Sequence, residues 1–300
     1  MTGDGERLVK DLLDQLDLEA LEQRLFRGSS RDIGGKSVFG GQVAGQAMVA
    51  ATRTVDPSQQ AHSMHGYFLR PGDMQAAIVY EVDNIRDGKS FATRRVQAIQ
   101  HGRPIFSMLV SFHVAETGYT HQMPMPDVPG PEELVSHDEL RHEWVDALDR
   151  VPESLREAVG REVAIDMRAA KPWNMLAPDK REPIQHVWFK AKAPLPDDQA
   201  LHRAVLTYAS DFGLLATSLF PHGVSFFTPG MQMASIDHAL WFHRDLKVDD
   251  WLLYAMDSPG AQDARGLSRG LIFNRDGQLV ASVAQEGLIR QREPQPKKDA

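Results

Sequence analysis

The chain has 300 residues, enough for one large domain or two ordinary ones, and its 42% hydrophobic and 25% charged content is that of a globular protein. There is no cysteine, which excludes disulfides, thiolate nucleophiles and most zinc sites. A net charge of -8 argues against general nucleic-acid binding, yet a few placed arginines could still hold a phosphorylated ligand.

Met1 to Arg24 is acidic and amphipathic, with Leu8, Leu12, Leu13, Leu16 and Leu21 near helical spacing, which predicts a leading helix. It lacks the basic start and unbroken apolar run of a secretory signal. No stretch approaches the roughly 18 apolar residues of a membrane span. The final Lys297-Lys298-Asp299-Ala300 is no peroxisomal tripeptide, so the expected location is the cytoplasm.

Gly40-Gly41 precede Gln42 to Ala51, a run of small apolar residues that reads as a buried helix. Four runs of strand character follow: His62 to Arg70, Ala76 to Ile85, Phe91 to Gln100 and Pro104 to Val114. Asp87-Gly88 and His101-Gly102 punctuate them as turns. From Glu116 to about Arg161 the composition changes. Pro124, Pro126, Pro129 and Pro131 cluster, and charged helix-like sequence runs from Glu132 to Val159.

The plan then repeats. Ile184 to Ala193 reads as a strand and Asp197 to Leu219 as a helix with Leu201, Ala204, Val205, Tyr208, Phe212 and Leu215 on one face. Strand-like runs follow at Met231 to His243, Trp251 to Met256, Ala264 to Asn274 and Leu279 to Arg290. Tyr67-Phe68-Leu69-Arg70 matches Trp241-Phe242-His243-Arg244, and Val79-Tyr80 matches Leu253-Tyr254 at the same separation. The expectation is an α+β fold of two units, each a helix wrapped by a curled antiparallel sheet. Residues 1–115 form the first unit, 116–160 a connector, 161–292 the second unit and 293–300 a polar tail. The other reading is one large α+β domain without duplication.

Several strings resemble the acyl-CoA thioesterase II family, which has a double hotdog fold. They are Leu25-Phe26-Arg27-Gly28, Val38-Phe39-Gly40-Gly41-Gln42, His65 to Asp73, Tyr208-Ala209-Ser210-Asp211, Ile236 to Arg244 and Gln285-Glu286-Gly287. The resemblance spans about Leu12 to Arg290. It implies hydrolysis of fatty acyl-CoA to free acid and CoA, with no metal and no covalent enzyme intermediate; the leading expectation is a cofactor-free thioesterase acting on medium- to long-chain acyl-CoA. The resemblance assigns the catalytic positions to Asp211, Ser235 and Gln285. The family often has threonine where this chain has Ser235, and serine lacks the methyl that restricts the rotamer.

These residue types suit the chemistry. A thioester has an electrophilic carbonyl and a good leaving group, so it needs a positioned, partly deprotonated water and an oxyanion donor. A carboxylate can accept the proton, while a hydroxyl and an amide can fix the water. On a continuous helix Asp211 lies about 80° from the centre of the apolar stripe, at about 100° per residue, where partial burial would raise its pKa. An arbitrary Asp there would be solvated or capping. Alternation puts Gln285 with Val283, Gly287 and Ile289, with Glu286 on the other face. Without the resemblance, Gln285 is equally a satisfied core amide and Ser235 a structural serine.

Gly40 and Gly41 could admit a thioester carbonyl or a phosphate, or simply tight helix–sheet packing. Arg70, Arg94, Arg95, Arg244, Arg265 and Arg269 are candidates for the CoA phosphates, and His62 is a further substrate-binding candidate. His62 and His65 fall on opposite faces, as do Asp237 and His238, which argues against a metal site and an acid–base pair. Gly266-Leu267-Ser268-Arg269-Gly270 fits G-x-S-x-G, but strand sequence continues after it where a nucleophile elbow needs a helix. Gly35-Lys36-Ser37 lacks the earlier glycine of a P-loop.

Two rival readings remain. One is a hotdog enoyl-CoA hydratase or dehydratase, which needs an Asp–His pair; no His falls on Asp211's helical face. The other is a non-catalytic acyl-CoA binding protein. The exposed sheet edge and fused pair also predict a homo-oligomer.

Overall fold

A computed structural model describes residues 2–146 and 160–292. The leading helix α1 (Thr2–Leu16) buries Leu8, Val9, Leu12 and Leu16. It stops earlier than Arg24: β1 (Glu19–Glu22) and β2 (Leu25–Gly28) pair instead. Glu-Ala-Leu-Glu has helical character, but all four β1 side chains are exposed, and charged short strands suit a sheet edge.

The first unit continues with α2 (Gly40–Thr52) and strands β3 (Gln59–Phe68), β4 (Ile78–Asp87), β5 (Phe91–Gln100) and β6 (Arg103–Val114). Of the helical stretch expected from Glu132 to Val159, the structure has a 3-10 turn (Pro131–Glu133), an extended Leu134 and then α3 (His137–Asp146); 147–159 lies outside the described residues. So does the expected polar tail, 293–300. The second unit contains β7 (Ile165–Ala169), β8 (Ile184–Ala191), α4 (Gln199–Ala209), a 3-10 helix (Leu215–His222), β9 (Met231–Ser235), β10 (Asp237–Phe242), β11 (Leu252–Gln262), β12 (Arg265–Asn274) and β13 (Leu279–Gln291).

The strands form one antiparallel sheet in the order β1-β2-β4-β5-β6-β3-β10-β13-β12-β11-β8-β7, with β9 beside β13. The two units meet where β3 pairs with β10, Asp237 opposite Tyr67 and Trp241 opposite Ser63. The fold is therefore the expected α+β double hotdog, its sheet continuous through the junction. Among the described residues no helix is long and apolar enough to cross a membrane.

Helices α2 and α4 lie antiparallel inside this sheet. A Cβ on Gly41 would stand 2.4 Å from the Tyr208 carbonyl oxygen, and one on Gly45 3.2 Å from that of Ala204. Only glycine allows so close an approach. Gly41→Ala is expected to cost about 1–3 kcal/mol by overpacking, and to lower activity as well, because the Gly41 N–H contacts Asp211. Thermal unfolding and kcat should fall together; an unchanged Tm would contradict the contact.

Two expectations need correction. The helix predicted through Leu219 ends at Ala209, with Ser210 as its C-cap. Gly213, at φ 76°, breaks the helical path before the 3-10 helix begins. The single run Met231 to His243 is two strands. Ser235 opposes Gly287 while Ala239 opposes Ala284, so one extra residue enters between β9 and β10. That bulge has a consequence for the site.

Candidate active site

The N-terminus of α2 has Phe39 at its cap position, a side chain that cannot accept a hydrogen bond. Helix α4 is capped conventionally by its own Asp198. The missing acceptor for α2 comes from the other unit: the Gly41 N–H donates to Asp211 Oδ2 at 2.8 Å. Asp211 stands in the turn after α4, not on a helical face, so the 80° reckoning does not apply. The helix dipole favours a carboxylate at that point. Gly40 is as tightly placed, since a Cβ there would lie 2.8 Å from the same Oδ2.

The other Asp211 oxygen, Oδ1, accepts from Gln285 Nε2 at 2.6 Å. Gln285 is fully buried on β13, among Val283 and Gly287. The same Nε2 is 3.1 Å from His238 Nδ1, and His238 Nε2 is 2.8 Å from Ser210 Oγ. Ser210 Oγ donates to the Thr207 carbonyl at 3.0 Å. Gln285 Oε1 is buried and has no hydrogen-bond partner among the described residues. Burial holds His238 below the ordinary imidazole range, against the opposing pull of Asp211 and Asp237.

The bulge explains this grouping. Strict alternation separates Ser235 from His238. With one residue inserted, Ser235 faces the same side as Gly287, and His238 the same side as Gln285. Asp237 points the other way and accepts from the Glu286 N–H at 2.7 Å. Ser235 shares the face of the site but makes no hydrogen bond to Asp211 or Gln285 among the described residues.

The sequence reading missed His238 and Ser210. No histidine stands on the helix beside Asp211, but His238 reaches its neighbourhood from β10 through Gln285. However, both His238 nitrogens are engaged by Gln285 and Ser210, and neither meets the carboxylate. Only the extra residue after Ser235 could have signalled this, and a bulge has no residue signature here.

The substrate-binding candidates divide. The Gly41 N–H is taken by Asp211, so it serves the carboxylate and not a carbonyl or phosphate. His62 does not join the cluster: it bonds Ser111 Oγ on the outer face of the sheet, edge-on to Phe91. Arg94 is 2% exposed and satisfied by the Thr54 hydroxyl and carbonyl, the Arg86 and Thr93 carbonyls and Asp87, so it cannot meet CoA. Arg95, Arg265 and Arg269 pair with Asp83, Glu286 and Asp257. Arg70 and Arg244 are exposed and lack a carboxylate partner among the described residues. Arg70 follows β3 at the end where Phe68 touches the Gly40 position; Arg244 follows β10 at the opposite end.

The G-x-S-x-G string has a packing explanation. It lies wholly on β12, where a Cβ on Gly266 would strike Ser218 and one on Gly270 would stand 2.1 Å from the Tyr254 ring. Ser268 is buried directly across from Gln285, on a strand and not at an elbow.

The first unit has no matching constellation. The corresponding register positions are Thr54 for Asp211, Met64 for His238, Val110 for Gln285 and Arg94 for Ser268. Between the end of α2 and the start of α4 lies a cavity of about 600 Å³, bordered by Val49, Thr52, Arg53, Asp198 and Leu201. It lies at the two-fold counterpart of the Asp211 region, and its border also carries Asp17, Asp56, Gln59 and Gln60.

Residues 161–288 match the acyl-CoA thioesterase family model, and 28–113 match that of the acyl-CoA thioesterase N-terminal domain. Acyl-CoA thioesterase 2 of Haemophilus influenzae is 39% identical over 94% of this chain and 98% of its own. The chain belongs to the acyl-CoA thioesterase II family. A solved acyl-CoA thioesterase II of Mycobacterium marinum is 43% identical, covers 95% of this chain and 100% of its own, and superposes with a TM-score of 0.75. A hot dog fold protein of unknown function from Alicyclobacillus acidocaldarius, at 16% identity, shares the fold with a TM-score of 0.73 over 94% of this chain and 99% of its own. The protein is thus an acyl-CoA thioesterase, a thioester hydrolase.

Proposed function

We propose that Asp211 is the general base of one hydrolytic site per chain, acting on medium- to long-chain fatty acyl-CoA. The observation that carries this reading is the Asp211 carboxylate held by one N–H from each unit, Gly41 and Gln285. Those two bonds fix its orientation before substrate arrives. The free Gln285 Oε1 beside it can accept one hydrogen of a water whose other proton passes to Asp211.

Attack of the resulting hydroxide on the thioester carbonyl gives a tetrahedral oxyanion. The Gly40 N–H, which has no protein acceptor among the described residues, is the backbone donor closest to hand at the α2 N-terminus. Collapse expels the CoA thiolate, which leaves without an acid because thiols are far more acidic than alcohols. Ser235, on the same face one strand away, supplies the remaining hydroxyl to the water.

Phe39, stacked on Phe212 at 4.6 Å and edge-on to Tyr208 at 5.4 Å, forms with Phe68 an apolar wall beside Asp211 suited to an alkyl chain. Arg70, at the same end of β3, is the contact for a CoA phosphate. Thiol release from purified protein should show kcat/KM rising with chain length from acetyl- to palmitoyl-CoA. A preference for acetyl-CoA would contradict the alkyl wall.

A further inference from the structure

We infer that His238 is a positioning residue that locks the Gln285 amide so that its oxygen, and not its nitrogen, faces the water. This rests on the reading of Asp211 and Gln285 given above.

The argument is one of donors and acceptors alone. Asp211 Oδ1 accepts only, so the Gln285 atom 2.6 Å away is the nitrogen. That nitrogen also faces His238 Nδ1 at 3.1 Å and has only hydrogens to offer, so Nδ1 carries none. A neutral ring then carries its proton on Nε2, which donates to Ser210 Oγ at 2.8 Å. Ser210 passes its own hydrogen to the Thr207 carbonyl. Each link has one possible direction, and the chain ends by committing both Gln285 N–H groups. Oε1 is left as the one free atom of the amide, buried and without a protein partner among the described residues.

Asp211 alone would hold one N–H; the second acceptor is what opposes rotation of the amide. A proton added to Nδ1 would set two donors against each other. The amide would turn, carrying Oε1 toward the ring and away from the water. The titratable groups near His238 are Asp211 from the turn after α4, Asp237 on its own strand and Tyr254 from β11, whose hydroxyl bonds the Ser210 carbonyl. The facing strands β3 and β13 present Gly66 and Gln285. Desolvation outweighs both carboxylates and keeps the ring neutral below the ordinary imidazole range. The lock is therefore present at neutral pH and lost only as pH falls through that depressed value. At the corresponding position of the first unit stands Met64, which accepts no such bond.

The test uses His238→Met and His238→Asn in the full chain, with kcat, KM and pH profiles from thiol release. Asn places an amide oxygen near the position of Nδ1 and does not titrate. His238→Met should lower kcat about tenfold or more, the worth of one buried hydrogen bond, with KM changed less than about threefold. His238→Asn should retain most of kcat at neutral pH and keep it to lower pH than the natural protein. A Met variant with unaltered kcat and pH profile overturns the lock, as does a folded Asn variant with kcat reduced like that of Met. If Met does not fold, the Asn profile decides. Asp211→Asn assayed alongside separates the two claims. If it is inactive while His238→Met is fully active, the lock fails and the base stands; if it is fully active, the base fails first.

Discussion

Asp211→Asn is expected to lower kcat for acyl-CoA hydrolysis at least about a hundredfold, the usual range for removal of a general base. The substitution is nearly isosteric, but it removes more than charge. Asp211 accepts from Gly41 and from Gln285 on two different oxygens. An asparagine has one oxygen and one NH2, so one of those donors must face another donor. Stability should fall by about 1–3 kcal/mol, the cost of a lost partner at a buried polar group. The comparison is kcat by thiol release against Tm for the same preparation. A folded variant with natural kcat would remove Asp211 from the chemistry.

Gln285→Glu should produce the second large effect, a loss of kcat of about a hundredfold or more, accompanied by a lower Tm. The new carboxylate keeps the shape of the amide but has no N–H for Asp211 or His238. It would stand against Asp211 where 2.6 Å now separates nitrogen from oxygen, and two carboxylates at that distance cannot both be ionised. A shared proton would abolish the base at neutral pH, and activity should recover partly as pH rises. Natural kcat with an unaltered pH profile would show that the amide contributes neither donor nor orientation.

The architecture was legible because each unit buries a helix beneath strands whose alternation is regular, as in β5 and β6. The edges were not. β1 is a short, exposed strand whose composition does not alternate, and β7 alternates over only five residues, Ile165 to Ala169. The end of α4 was hidden because Leu214, Leu215, Leu219 and Phe220 continue an apolar pattern through a different kind of helix, which packs on β11, β12 and β13. Periodicity reports burial on one side, and both helix types provide it.

Of the candidate site, the sequence marked Asp211 and Gln285, which the fold brings together, but not the geometry that does so. Asp211 meets Gly41 across 170 positions of sequence, a pairing set by the antiparallel contact of two glycine-bearing helices. His238 enters the site through a single inserted residue, which no composition signal marks. Arg94 failed as a phosphate ligand for a related reason. Its fitness depended on whether the loop after α2 and the end of β4 would supply carbonyls, and Thr54 and Arg86 do.

Whether a water activated by Asp211 attacks the thioester directly is settled by single-turnover hydrolysis in ¹⁸O-water with enzyme in excess. General-base attack predicts ¹⁸O in the released fatty acid, no label in the protein and no acylated enzyme by intact mass after acid quench. An acyl adduct on the quenched enzyme, or label in the peptide that contains Asp211, would make the carboxylate a nucleophile and contradict the account.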